Sequence, residues 1–319
     1  MKRKCFTLFY LSCYFYTPTI LAESQETWKI QLKLSILLQY ILPKQAITAF
    51  AGKLATIQCG ALTTKVIAWF VSRYKVNMAE AANSDIQTYK TFNDFFTRPL
   101  KVGVRPIANA AFICPVDGAI SQFGSIQQDQ IFQAKRHHYS TLALVANNTN
   151  LASKFENGHF ACLYLSPKDY HRIHMPCDGN LKTMTYVPGA LFSVNPNTAA
   201  NVPNLFARNE RVLCEFESVQ HGTFVMVLVG ATIVGSMATV WHEAIDSVKN
   251  GIINPPRSKN IRTWTYLEKN IFLKQGDEMG RFLLGSTVVM LFEKDTLQFN
   301  VNWQPTRVIK LGEEMANVL

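Results

Sequence analysis

The feature that most limits how this chain can fold lies near its end. There Gly280-Arg281-Phe282-Leu283-Leu284-Gly285-Ser286-Thr287 runs directly into the apolar stretch Val288-Val289-Met290-Leu291-Phe292. A small Gly-Ser step that opens a β-branched strand is a place where the backbone can bend sharply, leaving one hydroxyl beside the carbonyl that precedes it. That placement permits attack of Ser286 Oγ on the Gly285 carbonyl. The peptide would become an ester, β-elimination would cut the chain between Gly285 and Ser286, and hydrolysis of the resulting dehydroalanine would leave a pyruvoyl group on the new N-terminus. A plain turn ahead of a strand is the competing reading of these few residues.

Charge separates the chain into two parts. Of a net +10 over 319 residues, most belongs to residues 1–79, where ten Lys or Arg face only Glu23 and Glu26. Between Thr27 and Ala79 there is no acidic residue, while Lys29, Lys33, Lys44, Lys53, Lys65, Arg73 and Lys75 punctuate apolar runs such as Leu34 to Leu42 and Val66 to Val71. Basic amphipathic helices carrying Trp28, Tyr40, Phe50, Trp69 and Phe70 suit an anionic membrane surface, where headgroups attract the cations and rings sit at the interface. Nucleic acid fits less well, because the opposite face is too apolar and no recognisable binding module accompanies it. Helices packed on the next domain with a solvated basic face are the plainer alternative. The seven cysteines are odd in number, scattered and without a CxxC pair, which reads as a reducing compartment rather than a disulfide framework.

Residues 1–30 form a signal-like or anchor-like extension: Lys2-Arg3-Lys4, then no charge from Cys5 to Ala22. A cleaved leader, a short anchor and a misassigned start all fit it. Residues 31–90 read as an amphipathic helical region of two or three helices, broken near Pro43 and Gly60. After Val102 the pattern changes to short runs separated by Gly, Pro and Asn: Ala161 to Leu165, Leu181 to Val187, Arg211 to Phe216, Phe224 to Val229 and Thr287 to Phe292. These predict strands, with an occasional helix such as one near Tyr139 to Ala146. The fold class is therefore α+β, N-terminal helices followed by a mostly antiparallel β-rich catalytic domain over 91–319.

A serine hydroxyl is a poor nucleophile until a base takes its proton. The densest source of a base is Tyr164-Leu165-Ser166-Pro167-Lys168-Asp169-Tyr170-His171-Arg172-Ile173-His174-Met175-Pro176-Cys177, which holds two of the seven histidines. A metal reading of His171, His174 and Cys177 is weak, since structural zinc wants four ligands at recognisable intervals and no second half appears; no metal is expected. An Asp would orient the imidazole and stabilise its cation. Asp117, in an apolar run ending at Gly118, is the best placed; Asp169 and Asp178 remain alternatives.

Taken together, several segments resemble the pyruvoyl-dependent phosphatidylserine decarboxylases of bacteria, in order, from about Leu34 to Phe292. They are Tyr40 to Lys44, Phe92 to Leu100, Pro115 to Gly118, Tyr164 to Gly179, Val187 to Asn195, Asn204 to Val212, Gly230 to Ser236 and Gly280 to Thr287. The one departure noted within them is Asp178, where Asn is expected. The resemblance implies that Asp117, His174 and Ser286 form a self-cleavage triad and that the proenzyme is cut into a large chain 1–285 and a small chain 286–319. It implies that Ser286 becomes the pyruvoyl cofactor, which takes phosphatidylserine as a Schiff base and releases carbon dioxide to give phosphatidylethanolamine. His171 is expected to assist in decarboxylation or reprotonation, as a proton donor with a near-neutral pKa. Arg208 and Arg211 could hold the lipid phosphate, Arg matching its geometry; an ion-pair patch with Glu210 is the alternative. The expected partners are phosphatidylserine in an anionic membrane, the two chains of one precursor, and a second processed copy in a homodimer, with no nucleic acid. The expected location is peripheral, on the cytoplasmic side of the cell membrane. A serine hydrolase using the same Asp, His and Ser on an intact chain is the rival, but it lacks a Gly-x-Ser-x-Gly elbow.

Overall fold

The computed structural model describes residues 34, 36–232, 237–241, 248–249, 252–253, 259–283 and 286–319; for residues 248, 249, 252, 253 and 286 the backbone alone is described. The extension over 1–30 lies outside the described residues.

Helical residues 36–41 are followed by helices at Lys44–Ala55 and Ala61–Tyr74. The breaks fall where expected. Pro43 removes a donor at the first junction, and Gly60 takes a positive φ of 52° at the second. The second full helix buries Thr63, Ile67 and Phe70, and Phe70 packs against Phe92, Phe95 and Phe96 of the short helix Phe92–Phe96. That short helix is fixed by a capping box: Asp94 N donates to Thr91 Oγ1 at 3.0 Å and Thr91 N to Asp94 Oδ2 at 3.1 Å, satisfying two donors that a helix start leaves free. Leu37, Tyr40, Ile41, Phe50 and Leu62 remain exposed. Among the described residues no helix is long and apolar enough to cross a membrane.

The β domain is built on a nine-stranded antiparallel sheet. Its main path runs Arg262–Thr265, Gly179–Val187, Arg211–Ser218, Gly222–Val229, Ser286–Phe292, His159–Leu165, Gly118–Ser125, Val308–Ile309. Each of the five runs singled out in the sequence lies within one of these strands. The Ser286–Phe292 strand sits at the centre, which explains its unbroken apolar character. Val288, Met290 and Phe292 enter the core on one face with Leu163, Phe216 and Phe224, while Val289 and Leu291 enter the other with Phe160, Leu213 and Val225. Each such side chain contributes about 1.5–3 kcal/mol on burial, so this strand is among the most firmly anchored parts of the molecule.

A second, five-stranded sheet has the order Val248–Lys249, Ile252–Ile253, Met237–Thr239, Glu278–Phe282, Arg172–His174. The helix expected near Tyr139 to Ala146 is shorter than the apolar pattern suggests. Tyr139 belongs to the strand His137–Ser140, and the helix covers Thr141–Leu144, because the Ser140 side chain caps the helix by accepting from Ala143 N.

Candidate active site

The site forms where the chain crosses between the two sheets. Glu278–Phe282 pairs with Arg172–His174, Gly280 opposite Ile173 and Arg281 opposite Arg172, and Phe282 N donates to His171 O at 2.9 Å. Gly280 is needed there, because a Cβ would stand 2.4 Å from Ala238 O in the neighbouring strand. The strand carrying Gly280 ends at Phe282, and the larger sheet's central strand begins at Ser286, opposite Leu165, with Thr287 set between Tyr164 and Val229. The segment 166–171 makes the same crossing, joining His159–Leu165 to Arg172–His174. Strand pairing thus sets His171 next to Phe282 and His174 opposite Glu278, in the strand that precedes the expected cleavage point. Gly285 and the Ser286 side chain lie outside the described residues.

Asp117 precedes Gly118, where a Cβ would meet Tyr164 O at 2.4 Å. Its carboxylate is buried and clamped. Arg105 donates from Nε at 2.9 Å and from Nη2 at 2.6 Å, Lys310 Nζ at 3.3 Å and Leu311 N at 2.9 Å. Burial alone would push its pKa up, but the Arg105 bonds, the Leu311 amide and the two cations outweigh that and hold it below the ordinary 3.8. Arg105 also pairs with Glu80 through Nη2, which ties the clamp to the residues that follow the N-terminal helices.

His174 makes two ring contacts, with Nδ1 2.7 Å from Gly276 O and Nε2 3.1 Å from Tyr170 Oη. The carbonyl at Nδ1 places the proton there, so Nε2 carries the lone pair and Tyr170 donates to it. Burial lowers the His174 pKa below 6.5, against the pull of Gly276 O, Glu278 and Asp117. No hydrogen bond joins Asp117 to His174. Gly276 O occupies the place the triad template gives to the carboxylate, and Asp117 acts on His174 as a nearby charge. The two segments are nevertheless adjacent, since His174 N donates to Pro115 O at 2.9 Å.

His171 is fully buried. Its Nδ1 donates to Asp169 O at 2.8 Å, its ring lies 4.1 Å from that of Phe96, and its Nε2 has no partner among the described residues. Burial pushes its pKa down to about 3, so the near-neutral histidine expected as proton donor is replaced by one held neutral through the physiological range. Asp169 accepts from Ser166 N and Oγ, both at 2.7 Å, and Asp178 accepts from Gln275 N at 2.7 Å; each holds a turn rather than an imidazole. The Phe92–Phe96 helix and the residues after it brace the histidine segment, Arg98 Nη2 donating to Lys168 O at 3.3 Å and Arg172 Nε to Thr97 O at 2.8 Å.

The two candidate arginines part company. Arg211 is buried and donates to the carbonyls of Leu144, Ala207, Ala143 and Asn209, and burial lowers its pKa to about 10. It braces loops rather than offering itself to a phosphate. Arg208 is exposed, its guanidinium 5.0 Å from the Phe192 ring centroid and 5.8 Å from that of Tyr40. Glu210 is turned inward, accepting from Tyr186 Oη at 3.2 Å.

Sequence reasoning missed Arg105, Lys310 and Gly276, which reach the site from distant points of the chain with no local motif. Tyr170 was inside the dense block but had no distinguishing spacing. Among the described residues no group of three His, Cys, Asp or Glu could hold a metal ion. Cys177 is buried in the core, where desolvation raises its pKa.

Comparison with known proteins adds an independent line. Residues 92–317 match the family described as phosphatidylserine decarboxylase, and residues 34–75 match the one described as PSD. A phosphatidylserine decarboxylase proenzyme of Dechloromonas aromatica (strain RCB) is 67% identical over 89% of this chain and 98% of its own length. Proteins of the same name from Albidiferax ferrireducens and Polaromonas naphthalenivorans are 65% and 63% identical, over 89% and 90% of this chain and 97% of each relative.

Proposed function

Because the chain belongs to the phosphatidylserine decarboxylase family, we propose that it is a proenzyme that cuts itself between Gly285 and Ser286 and then decarboxylates phosphatidylserine to phosphatidylethanolamine. The observation that carries this reading is the strand pairing on either side of the expected cut: Phe282 N donates to His171 O, and Ser286 opens the larger sheet's central strand opposite Leu165, from which the chain runs on to His171 and His174. In the proposed self-cleavage, His174 Nε2 takes the proton of Ser286 Oγ, with Tyr170 yielding that position or relaying the proton. Gly276 O fixes the tautomer. Asp117, kept ionised by Arg105 and Lys310, favours the imidazolium that forms.

The residues around position 286 fit a pyruvoyl group. Among the described residues, two buried polar atoms in the segments flanking it, His171 Nε2 and Thr287 Oγ1, have no partner, and a buried polar atom left so costs about 1–3 kcal/mol. A pyruvoyl group at that position supplies a ketone for the substrate amine and an electron sink as carbon dioxide leaves. His171, neutral with its lone pair at Nε2, is set to take up a proton and return it to the former α-carbon. A strongly depressed pKa makes it a ready donor once charged.

The exposed apolar residues of the N-terminal helices, with Lys44, Lys53 and Lys65, support peripheral binding to an anionic, cytoplasmic membrane face. A homodimer of processed heterodimers completes the reading. Denaturing mass spectrometry of the wild type beside Ser286→Ala tests it. Two chains, 1–285 and a ketone-blocked 286–319, are expected from the wild type and one chain from the variant. A single wild-type chain with a free serine would overturn it in favour of a serine hydrolase.

A further inference from the structure

Where the N-terminal helices meet the β domain, two cations share one aromatic ring. Lys44 Nζ lies 4.1 Å from the Phe192 ring centroid and the Arg208 guanidinium 5.0 Å from it. Tyr40 packs edge-on to Phe192 at 5.0 Å and lies under the same guanidinium. The platform is held firmly. Gln39 is buried, accepting from Ser193 N at 2.9 Å and donating to Thr198 Oγ1 at 3.3 Å, and Arg208 O accepts from Ala190 N at 2.8 Å.

The charge, by contrast, is unbalanced. Among the described residues neither Lys44 nor Arg208 pairs with a carboxylate. Lys44 donates to Gln39 O, and Arg208 has only a long bond from Nη1 to Pro203 O at 3.5 Å. No acidic residue occupies the first turn of the helix that Lys44 opens. Like charges held close over one ring repel, and a cation–π contact at an exposed site offsets that only weakly. Such an arrangement is stabilised when an anion sits between the two cations, and a phosphodiester suits it best, Arg offering a fork and Lys a point charge.

The location suits a substrate contact. Glu210 O accepts from Gly230 N at 2.8 Å, and Val229 pairs with Thr287. The backbone at 209–210 therefore stands about two strand spacings, about 10 Å, from that at 286–287, at the same end of the sheet. Leu37 and Ile41, 56% and 71% exposed, lie on the helical turns next to Tyr40 and Lys44, where acyl chains would pass into a bilayer. We propose that Lys44 and Arg208, seated on Phe192 and Tyr40, bind the phosphodiester of the phosphatidylserine substrate at the entrance to the site. This rests on the decarboxylase reading above.

The test uses the full-length processed protein and a short-chain, water-soluble phosphatidylserine below its aggregation concentration, so that no membrane surface contributes. Lys44→Gln/Arg208→Gln is expected to be cleaved normally by mass spectrometry and to raise KM about tenfold or more, the loss of 1.4 kcal/mol in binding, with kcat much less affected. Arg208→Lys is expected to recover part of KM, which a packing defect would not do. An unchanged KM for the soluble lipid would overturn the proposal. So would a loss confined to vesicle binding, which would assign the cations to the membrane surface at large. If the wild type proved uncut or inactive, the decarboxylase reading would fall first. Calorimetric titration of the intact chain with the same lipid would then judge the seat, and equal affinity in wild type and double variant would overturn it.

Discussion

Two parts of the same site treat their buried polar atoms in opposite ways. Around Asp117 the chain is generous: one carboxylate receives four hydrogen bonds, from Arg105, Lys310 and the Leu311 amide. At His171 and Thr287 it withholds, leaving Nε2 and Oγ1 buried without a partner among the described residues. A fully satisfied network rigidifies, whereas an orphaned atom costs stability unless something else completes it. Under the proposed function, the contrast separates what the fold finishes by itself from what the chemistry would have to finish: the Asp117 charge is fixed in advance, and polar atoms beside the proposed reacting position are left open.

The sharpest way to break this comparison is at the clamp. Asp117→Ala leaves Arg105 with Glu80 as its remaining carboxylate partner and Lys310 with none among the described residues, and we expect a loss of about 3 kcal/mol, the lower end for removal of one partner from a buried pair. The readout is the midpoint of urea unfolding, accompanied by failure to self-cleave; a variant as stable as wild type would mean that Arg105 and Lys310 find other partners.

Acid sharpens it next. His171 and His174 have pKa values below the 6.5 of an unfolded histidine, His171 near 3. The unfolded chain therefore binds more protons below 6.5, and stability falls as pH drops through that window, by at most about 1.4 kcal/mol per pH unit for His171. Asp117 is depressed below 3.8, so its contribution persists above that value and is lost only at lower pH. Urea midpoints at pH 7, 5.5 and 4.5 should decline steadily, the histidine region weakening before the clamp. A flat profile would show that the histidines are not held neutral by burial.

The smallest effect is expected at Thr287→Val, which removes the orphaned hydroxyl at constant shape. A gain of about 1 kcal/mol in the thermal or urea transition is expected, since an unsatisfied buried group is deleted. A loss would reveal a partner for that hydroxyl within the processed protein.

Much of this was legible before any coordinates. Val288 to Phe292 reads as a strand because both of its faces are buried, and Pro43 and Gly60 mark helix breaks by backbone chemistry that no tertiary contact overrides. Tyr139 misleads because its apolar neighbours fit either period, and only the Ser140 cap decides where the helix starts. His171 and His174 stand out by proximity in sequence. Arg105 and Lys310 do not, because their meeting at Asp117 depends on strands far apart in the chain, and Arg211 shows that an arginine in a suggestive segment can spend itself on carbonyls. Nor does local sequence announce that Gly276 O would take the imidazole N–H expected to go to Asp117.

The position of the Ser286–Phe292 strand has one more consequence. It lies between Gly222–Val229 and His159–Leu165, while Lys310 and Leu311 grip Asp117 and the later strand Glu314–Asn317 pairs with Phe112–Ile113. A cut before Ser286 would therefore release nothing. The two products would be woven through one another, and parting them would require the same work as unfolding the whole domain. Maturation by this route is irreversible in its bond yet silent in its architecture, so a mature molecule would carry its severed piece for as long as it stays folded.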